Sequence, residues 1–234
     1  MTNDPPAERT PQSVDQKTRK VQRFWPLVSA FAVLVVAVLI GAIVMLRGAG
    51  NPLGFDTEWM HEIVEHRSPV WDVPSFAMNY IGGGALGVFV VPAVVIVALC
   101  VLRRFWAAAY FAAATILSAG LVQLLKSLFG RARPEEILVH ADFGSFPSGH
   151  VANATTMAVV LAIILRRYWV WIVGVIYVVL MMLSRTYLGA HWLSDTFGGL
   201  LLGAGVAVIV WAPLANRLYR ENERRLASRA SATL

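Results

Sequence analysis

Most of the groups in this sequence able to do chemistry lie in two short segments, 126–150 and 184–195. They supply three cations (Lys126, Arg133 and Arg185), two histidines (His150 and His191), one aspartate (Asp195) and the Ser148-Gly149 pair that enters a run of apolar residues. Three cations beside the free N–H groups of a helix start make an oxyanion site, because guanidinium forks bind phosphate-like oxygens and the helix dipole favours negative charge. His191 and Asp195, four residues apart, share one helix face if the helix has begun by then. A carboxylate on one ring nitrogen leaves the other free as a nucleophile and stabilises the charge that develops on it. His150 has no acidic neighbour nearby in sequence and suits a proton donor to a departing oxygen, provided it is protonated. The competing chemistry is a metal site built from His150, His191 and Asp195, which are common ligand types. The three cations oppose it, since a divalent ion would add to positive charge already present. Neither a metal nor another cofactor is expected.

The elements that must position these residues follow from composition. The chain has 234 residues, 57% of them hydrophobic and 15% charged, too apolar for an ordinary soluble domain. Its apolar residues come in blocks near the length that crosses a bilayer as a helix. Leu27 to Leu46 makes the first, too far from the N-terminus for a typical cleaved signal peptide. An unbroken helix over 76–125 would be about 75 Å long, more than twice a bilayer core, so Arg103-Arg104 marks a turn. Arg166-Arg167 divides 151–183 in the same way, and a last block covers 194–213. The expected fold is therefore all-α with six transmembrane helices over 25–213. Flanking it are a disordered tail over 1–24 and a basic tail over 214–234. Between 48 and 75 a short helix, on the membrane surface or in a solvated loop, is expected around Trp59, Met60, Ile63 and Val64. Pro92 should kink the second span. Its glycines, Gly82, Gly83, Gly84 and Gly87, read as close packing, as do Gly198, Gly199, Gly203 and Gly205 in the last.

The net charge of +6 would suggest nucleic acid in a soluble protein, but the basic residues sit in short clusters between apolar blocks. Fourteen of the twenty Lys and Arg fall in the two tails and the two arginine pairs, and nine of the fourteen acidic residues fall in the alternate segments. By the positive-inside rule both termini are cytoplasmic and the alternate segments face outside. On that topology four helix ends, near Lys126, His150, Ser184-Arg185 and His191 to Asp195, meet at the outer face of a cell membrane. The single cysteine, Cys100, lies in an apolar stretch and reads as packing.

Lys126 through Arg133-Pro134, then Pro147-Ser148-Gly149-His150, then Ser184-Arg185 through His191 to Asp195 resemble the three-part signature of the type 2 phosphatidic acid phosphatase (PAP2) family. Every motif residue and spacing is present, and the six-helix layout is similar to the membrane branch of that family. The resemblance implies a metal-independent lipid phosphatase. His191 would form a phosphohistidine, His150 would protonate the leaving oxygen and Asp195 would orient His191. Lys126, Arg133, Ser148, Gly149 and Arg185 would hold the phosphoryl oxygens. Undecaprenyl diphosphate is the preferred substrate, with phosphatidylglycerophosphate and phosphatidic acid as rivals. A phosphotransferase using the same histidine is a second reading and a membrane transporter a third. Arg131 reads as a helix cap or a headgroup contact. Glu135, Glu136, His140 and Asp142 read as a solvated loop, and Asn153-Ala154-Thr155 as an unmodified glycosylation acceptor.

Overall fold

The structure is a computed structural model that describes residues 11–46, 52–140 and 142–232, with side chains described over 27–44, 46, 52–140 and 142–226. It is helical throughout, with no strand among the described residues. Eight α-helices follow in order: α1 (Pro11–Leu46), α2 (Gly54–Glu65), α3 (Pro69–Gly82), α4 (Val91–Val101), α5 (Phe105–Phe129), α6 (Gly149–Leu165), α7 (Tyr168–Tyr187) and α8 (Leu193–Ala232). Among the described residues four of these, α1, α5, α7 and α8, are long and apolar enough to cross a membrane. α3 and the helical stretch Leu86–Val101 pass that test together, bent by 47°, while α6 is apolar but only 17 residues long.

The turns fall where the arginine pairs stand. Arg103 and Arg166 take left-handed backbone at φ 56° and 53°, ending α4 and α6. The N–H of Arg166 closes on the carbonyl of Ala162 at 3.0 Å, a helix-ending bond made from the left-handed residue itself.

Three expectations are corrected. The tail expected over 1–24 is helical from Pro11, and residues 1–10 lie outside the described residues. Between 12 and 25 there is neither Gly nor Pro, and Pro11 suits a first helical position, so this stretch can be helical, and α1 continues from it across Pro26 into the apolar span. At the other end, where a basic tail was expected with no structure assigned to it, α8 runs through Pro213 and the basic segment to Ala232, over residues that are mostly good helix formers. The bend expected at Pro92 falls at Gly83-Gly84, with Gly84 at φ 56°. A π-helical turn over Leu86–Val90 precedes α4 and displaces the usual bonding pattern where proline would clash with the preceding turn. α3 also begins within the segment read as polar, and Pro69 at its start fixes the entry.

α8 is the centre of the bundle, packing on α1, α5 and α6, with α7 against α6 and α3 against α7. Tyr110, Phe111, Val160 and Ala207 are buried where α5, α6 and α8 meet. The glycines act as expected in α8: a Cβ on Gly199 would lie 2.5 Å from the Ser148 carbonyl, and one on Gly203 2.5 Å from that of Ala152. Bare backbone at both positions is what brings α6 close to α8.

Candidate active site

The carboxyl-terminal ends of α5 and α7 and the amino-terminal ends of α6 and α8 meet at one end of the bundle. Between them lies a cavity of about 780 Å³ lined by Lys126, Arg133, Gly149, His150, Arg185 and His191. Six of the eight residues singled out from sequence thus share one cavity. Ser148 and Asp195 are fully buried and lie behind it.

α7 hands the chain to His191 through a tight turn. Leu188 bonds back to the Ser184 carbonyl at 3.0 Å, and Ala190 to that of Arg185 at 3.1 Å. Gly189 adopts φ 63°, where a Cβ would lie 2.6 Å from the Glu136 carbonyl, so the position demands glycine on two counts. The His191 ring is buried, and its Nδ1 lies 2.7 Å from the Ser145 carbonyl. A carbonyl only accepts, so Nδ1 carries the proton and Nε2 keeps its lone pair. Nε2 faces the Arg133 guanidinium at 3.5 Å. Burial holds the His191 pKa well below the usual histidine value. Arg185, Arg133 and Lys126 push it the same way, and the Ser145 carbonyl acts in opposition. The imidazole is a neutral base with its free nitrogen toward the cations.

Asp195 stands 3.6 Å from His191 Nδ1, too far for a hydrogen bond, so the bond that fixes the ring is the one to Ser145. The aspartate is occupied elsewhere. Its Oδ1 takes Arg131 Nη1 at 2.5 Å and its Oδ2 takes the Trp192 N–H at 2.9 Å. Arg131, read from sequence as a cap or headgroup contact, is instead fully buried between two carboxylates, the second being Asp56 of α2 at 2.8 Å. Asp56 also accepts from the Ser194 N–H at 2.8 Å and its hydroxyl at 2.7 Å. Every oxygen of the two carboxylates has a partner, which is the condition under which buried charge is tolerated.

Arg133 spans the cavity mouth. Its Nη1 donates to the Ala190 carbonyl at 2.5 Å, its Nη2 to Gly144 at 2.9 Å and its Nε to Asp142 at 3.0 Å. Burial lowers its pKa, partly offset by Asp195 and Asp142. Arg185 Nη1 is bonded to the Asn79 side chain of α3, while its buried Nε has no protein partner. His150 Nε2 lies 3.3 Å from the Asn79 carbonyl, so one residue steadies both groups. A Cβ on Gly83 would overlap the His150 ring, so this glycine makes the space that the imidazole fills. The Ser148 N–H donates to the Asp195 carbonyl at 3.0 Å, fixing the start of α6, and the Ser148 hydroxyl is buried without a partner. As first residue of α6, Gly149 offers an N–H that has no intrahelical acceptor.

His140 and Asp142 also reach the cavity, whereas Glu135 and Glu136 are exposed away from it. Asn153 is engaged with the Gly87 carbonyl at 2.9 Å inside the bundle. Sequence reasoning missed Asp56, Asn79, Arg131 and Ser145. Asn79 had a signal, being a lone amide in an apolar run. Ser145 had none, since it acts through its backbone carbonyl. Among the described residues, the donor atoms of His150, His191 and Asp195 do not gather within 4.8 Å of one another as a metal would require.

Residues 107–219 match the model of the PAP2 superfamily. An undecaprenyl-diphosphatase of Sulfolobus acidocaldarius is 42% identical over 65 residues, covering 28% of this chain and 31% of that protein. The chain spans less than two thirds of the length of several such curated relatives. A decaprenylphosphoryl-5-phosphoribose phosphatase of Mycobacterium tuberculosis is 34% identical over 138 residues, covering 57% of this chain and 75% of that protein. The crystal structure of a transmembrane PAP2-type phosphatidylglycerolphosphate phosphatase from Bacillus subtilis superposes with a TM-score of 0.66 at 23% identity. The match covers 77% of this chain and 93% of that one, and it shows the shared fold. With the three-part pattern gathered at one cavity and a relative matched over three quarters of its length, the chain belongs to the PAP2 superfamily.

Proposed function

We propose that this protein is a membrane-embedded phosphatase that cleaves a lipid phosphate or diphosphate through a phosphohistidine. His191 Nε2 attacks phosphorus, the bond from phosphorus to the leaving oxygen breaks, and His150 delivers a proton to that oxygen. Water then attacks the phosphohistidine, giving a proton back to His150 as the P–N bond breaks, and phosphate leaves. Lys126, Arg133, Arg185 and the α6 start at Ser148-Gly149 hold the phosphoryl oxygens, and Asp195 helps to stabilise the His191 ring as charge develops. Such a reaction is mostly positioning and charge stabilisation, which a ring of fixed cations supplies. The observation that carries the reading is a neutral buried imidazole whose free nitrogen faces a cationic cavity.

The opposite wall of that cavity is apolar. Val88 and Phe89 before α4 and Ile116 of α5 line it and are also exposed on the outer surface of the bundle. A lipid tail can therefore lie in the bilayer beside α4 and α5 while its headgroup reaches His191. The proposed topology has six spans, formed by α1, the bent α3–α4 pair, α5, α6, α7 and α8. Both termini are cytoplasmic and the site faces outside, supported by the distribution of Lys and Arg. Undecaprenyl diphosphate is the preferred substrate, since both curated relatives described above are named for polyprenyl compounds. Purified protein should release phosphate from it in the presence of chelator, faster than from phosphatidylglycerophosphate or phosphatidic acid. A fully active His191→Ala variant would overturn the mechanism, and a strong preference for a diacylglycerol lipid would overturn the substrate. Label from the substrate appearing on a lipid or sugar acceptor rather than in solution would mark a phosphotransferase instead.

A further inference from the structure

A second concavity, of about 560 Å³, lies at the end of the bundle remote from His191. α5 connects the two: Phe105 borders this hollow and Lys126 the first, roughly 32 Å apart along the helix. Six arginines surround it: Arg103 and Arg104 from the α4–α5 turn, and Arg217, Arg220, Arg224 and Arg225 from α8. One carboxylate lines it, that of Glu221, and it is engaged as a cap for α5. Its two oxygens accept the N–H groups of Trp106 at 2.8 Å and Ala107 at 3.2 Å.

Arg104 gives the hollow the character of a site. It is buried, with Nη2 tied to the Ile164 carbonyl at 3.0 Å, and its Nε–H is enclosed without a protein partner. Burial and Arg225 lower its pKa, against Glu221, so an anion would relieve the crowding. The positive-inside bias accounts for basic residues on this side of the bundle. It does not account for six of them converging on one hollow around a buried guanidinium. The rim decides between a soluble and a membrane-borne anion. Leu102 and Phe105 are exposed apolar side chains there, and Trp106, stacked under the Arg217 guanidinium at 4.1 Å, is a ring suited to the bilayer interface.

We infer that this arginine hollow binds the phosphate headgroup of an anionic phospholipid, with the acyl chains lying along the apolar rim. Arginine forks suit a phosphodiester, and Lys in their place keeps the charge but loses the bidentate geometry. The test is native mass spectrometry of the full chain, released from nanodiscs of mixed phosphatidylglycerol and phosphatidylcholine. Arg220→Gln/Arg224→Gln and Arg220→Lys/Arg224→Lys variants run in parallel. Both side chains are exposed, so folding should persist, as verified by unchanged melting temperature. Wild type is expected to retain phosphatidylglycerol in preference to phosphatidylcholine. The Gln pair should retain roughly tenfold less and the Lys pair an intermediate amount. Millimolar inorganic phosphate should not displace the lipid. Equal retention of the two lipids, or unchanged retention in the Gln pair, overturns the inference. Displacement by inorganic phosphate assigns the hollow to a free anion and overturns the lipid. His191 takes no part in any arm, so failure of this inference is separate from failure of the catalytic one.

Discussion

His191 is built to be a base rather than a cation. Its Nδ1 proton is committed to the Ser145 carbonyl, and burial together with three positive neighbours opposes a second proton. An ordinary histidine titrates near about pH 6.5. Because the His191 value lies below that, the proposed nucleophile stays unprotonated as pH falls through the usual range. The acid limb of kcat/KM is therefore expected below about 6.5. Replacing Arg133 by Gln removes one of the charges that depress it, so the limb should move to higher pH while kcat/KM falls. A pH profile of the two proteins checks the sign. Loss of the proposed nucleophile in His191→Ala should lower kcat by at least about 10⁴-fold in a phosphate-release assay. Asn79 belongs at this scale as well. Its side chain holds Arg185, and Asn79→Ala should lower kcat/KM by roughly 10- to 100-fold, the worth of a hydrogen bond to a charged group.

At the scale of the element, α2 is the feature that local pattern described least well. It has the spacing of a surface helix, yet Asp56 and Met60 are buried. Through Asp56 and Arg131 it is tied to the start of α8, beside His191. Asp56→Asn leaves Arg131 short of one counter-charge, and Arg131→Met leaves two buried carboxylates unpaired. Each should cost about 3–5 kcal/mol, and the two together less than their sum, because the double variant removes charges that would otherwise stand alone. Melting temperatures of the four proteins complete that cycle. α3 carries a separate demand at Gly83, where a Cβ would occupy the His150 ring position. Gly83→Ala should fold, since the glycine ends its helix, but should lower kcat more than it changes KM, as displacement of a proton donor requires.

For the whole molecule, the positive-inside reading predicts that both tails are reached from one side of the membrane and the 130–148 loop from the other. Single cysteines at Glu8, Glu136 and Arg229 in a Cys100→Ser background, labelled with an impermeant thiol reagent on sealed vesicles, should separate Glu136 from the other two. The same sums along the chain that yield this topology yielded the helices. Transfer free energy, span length and charge at turns accumulate over consecutive residues, so the breaks at Arg103-Arg104 and Arg166-Arg167 and the run of apolar blocks were legible in sequence. The three-part pattern was legible too, because its members are rare polar groups at fixed spacing in an apolar chain. The bend at Gly83-Gly84 rather than Pro92 was not, since a π-helical turn absorbs the proline and the glycines yield where His150 needs room. Nor was the setting of Asp195. The order i, i+4 places it beside His191, but only the meeting of α2, the 130–148 loop and α8 brings Arg131 between Asp56 and Asp195 and leaves the Ser145 carbonyl to hold the ring. Sequence alone determined most of the apolar helices and the three-part pattern of polar residues. Tertiary structure decided which group satisfies which, because pairing of buried charges depends on helix ends that lie far apart in the chain and close in space.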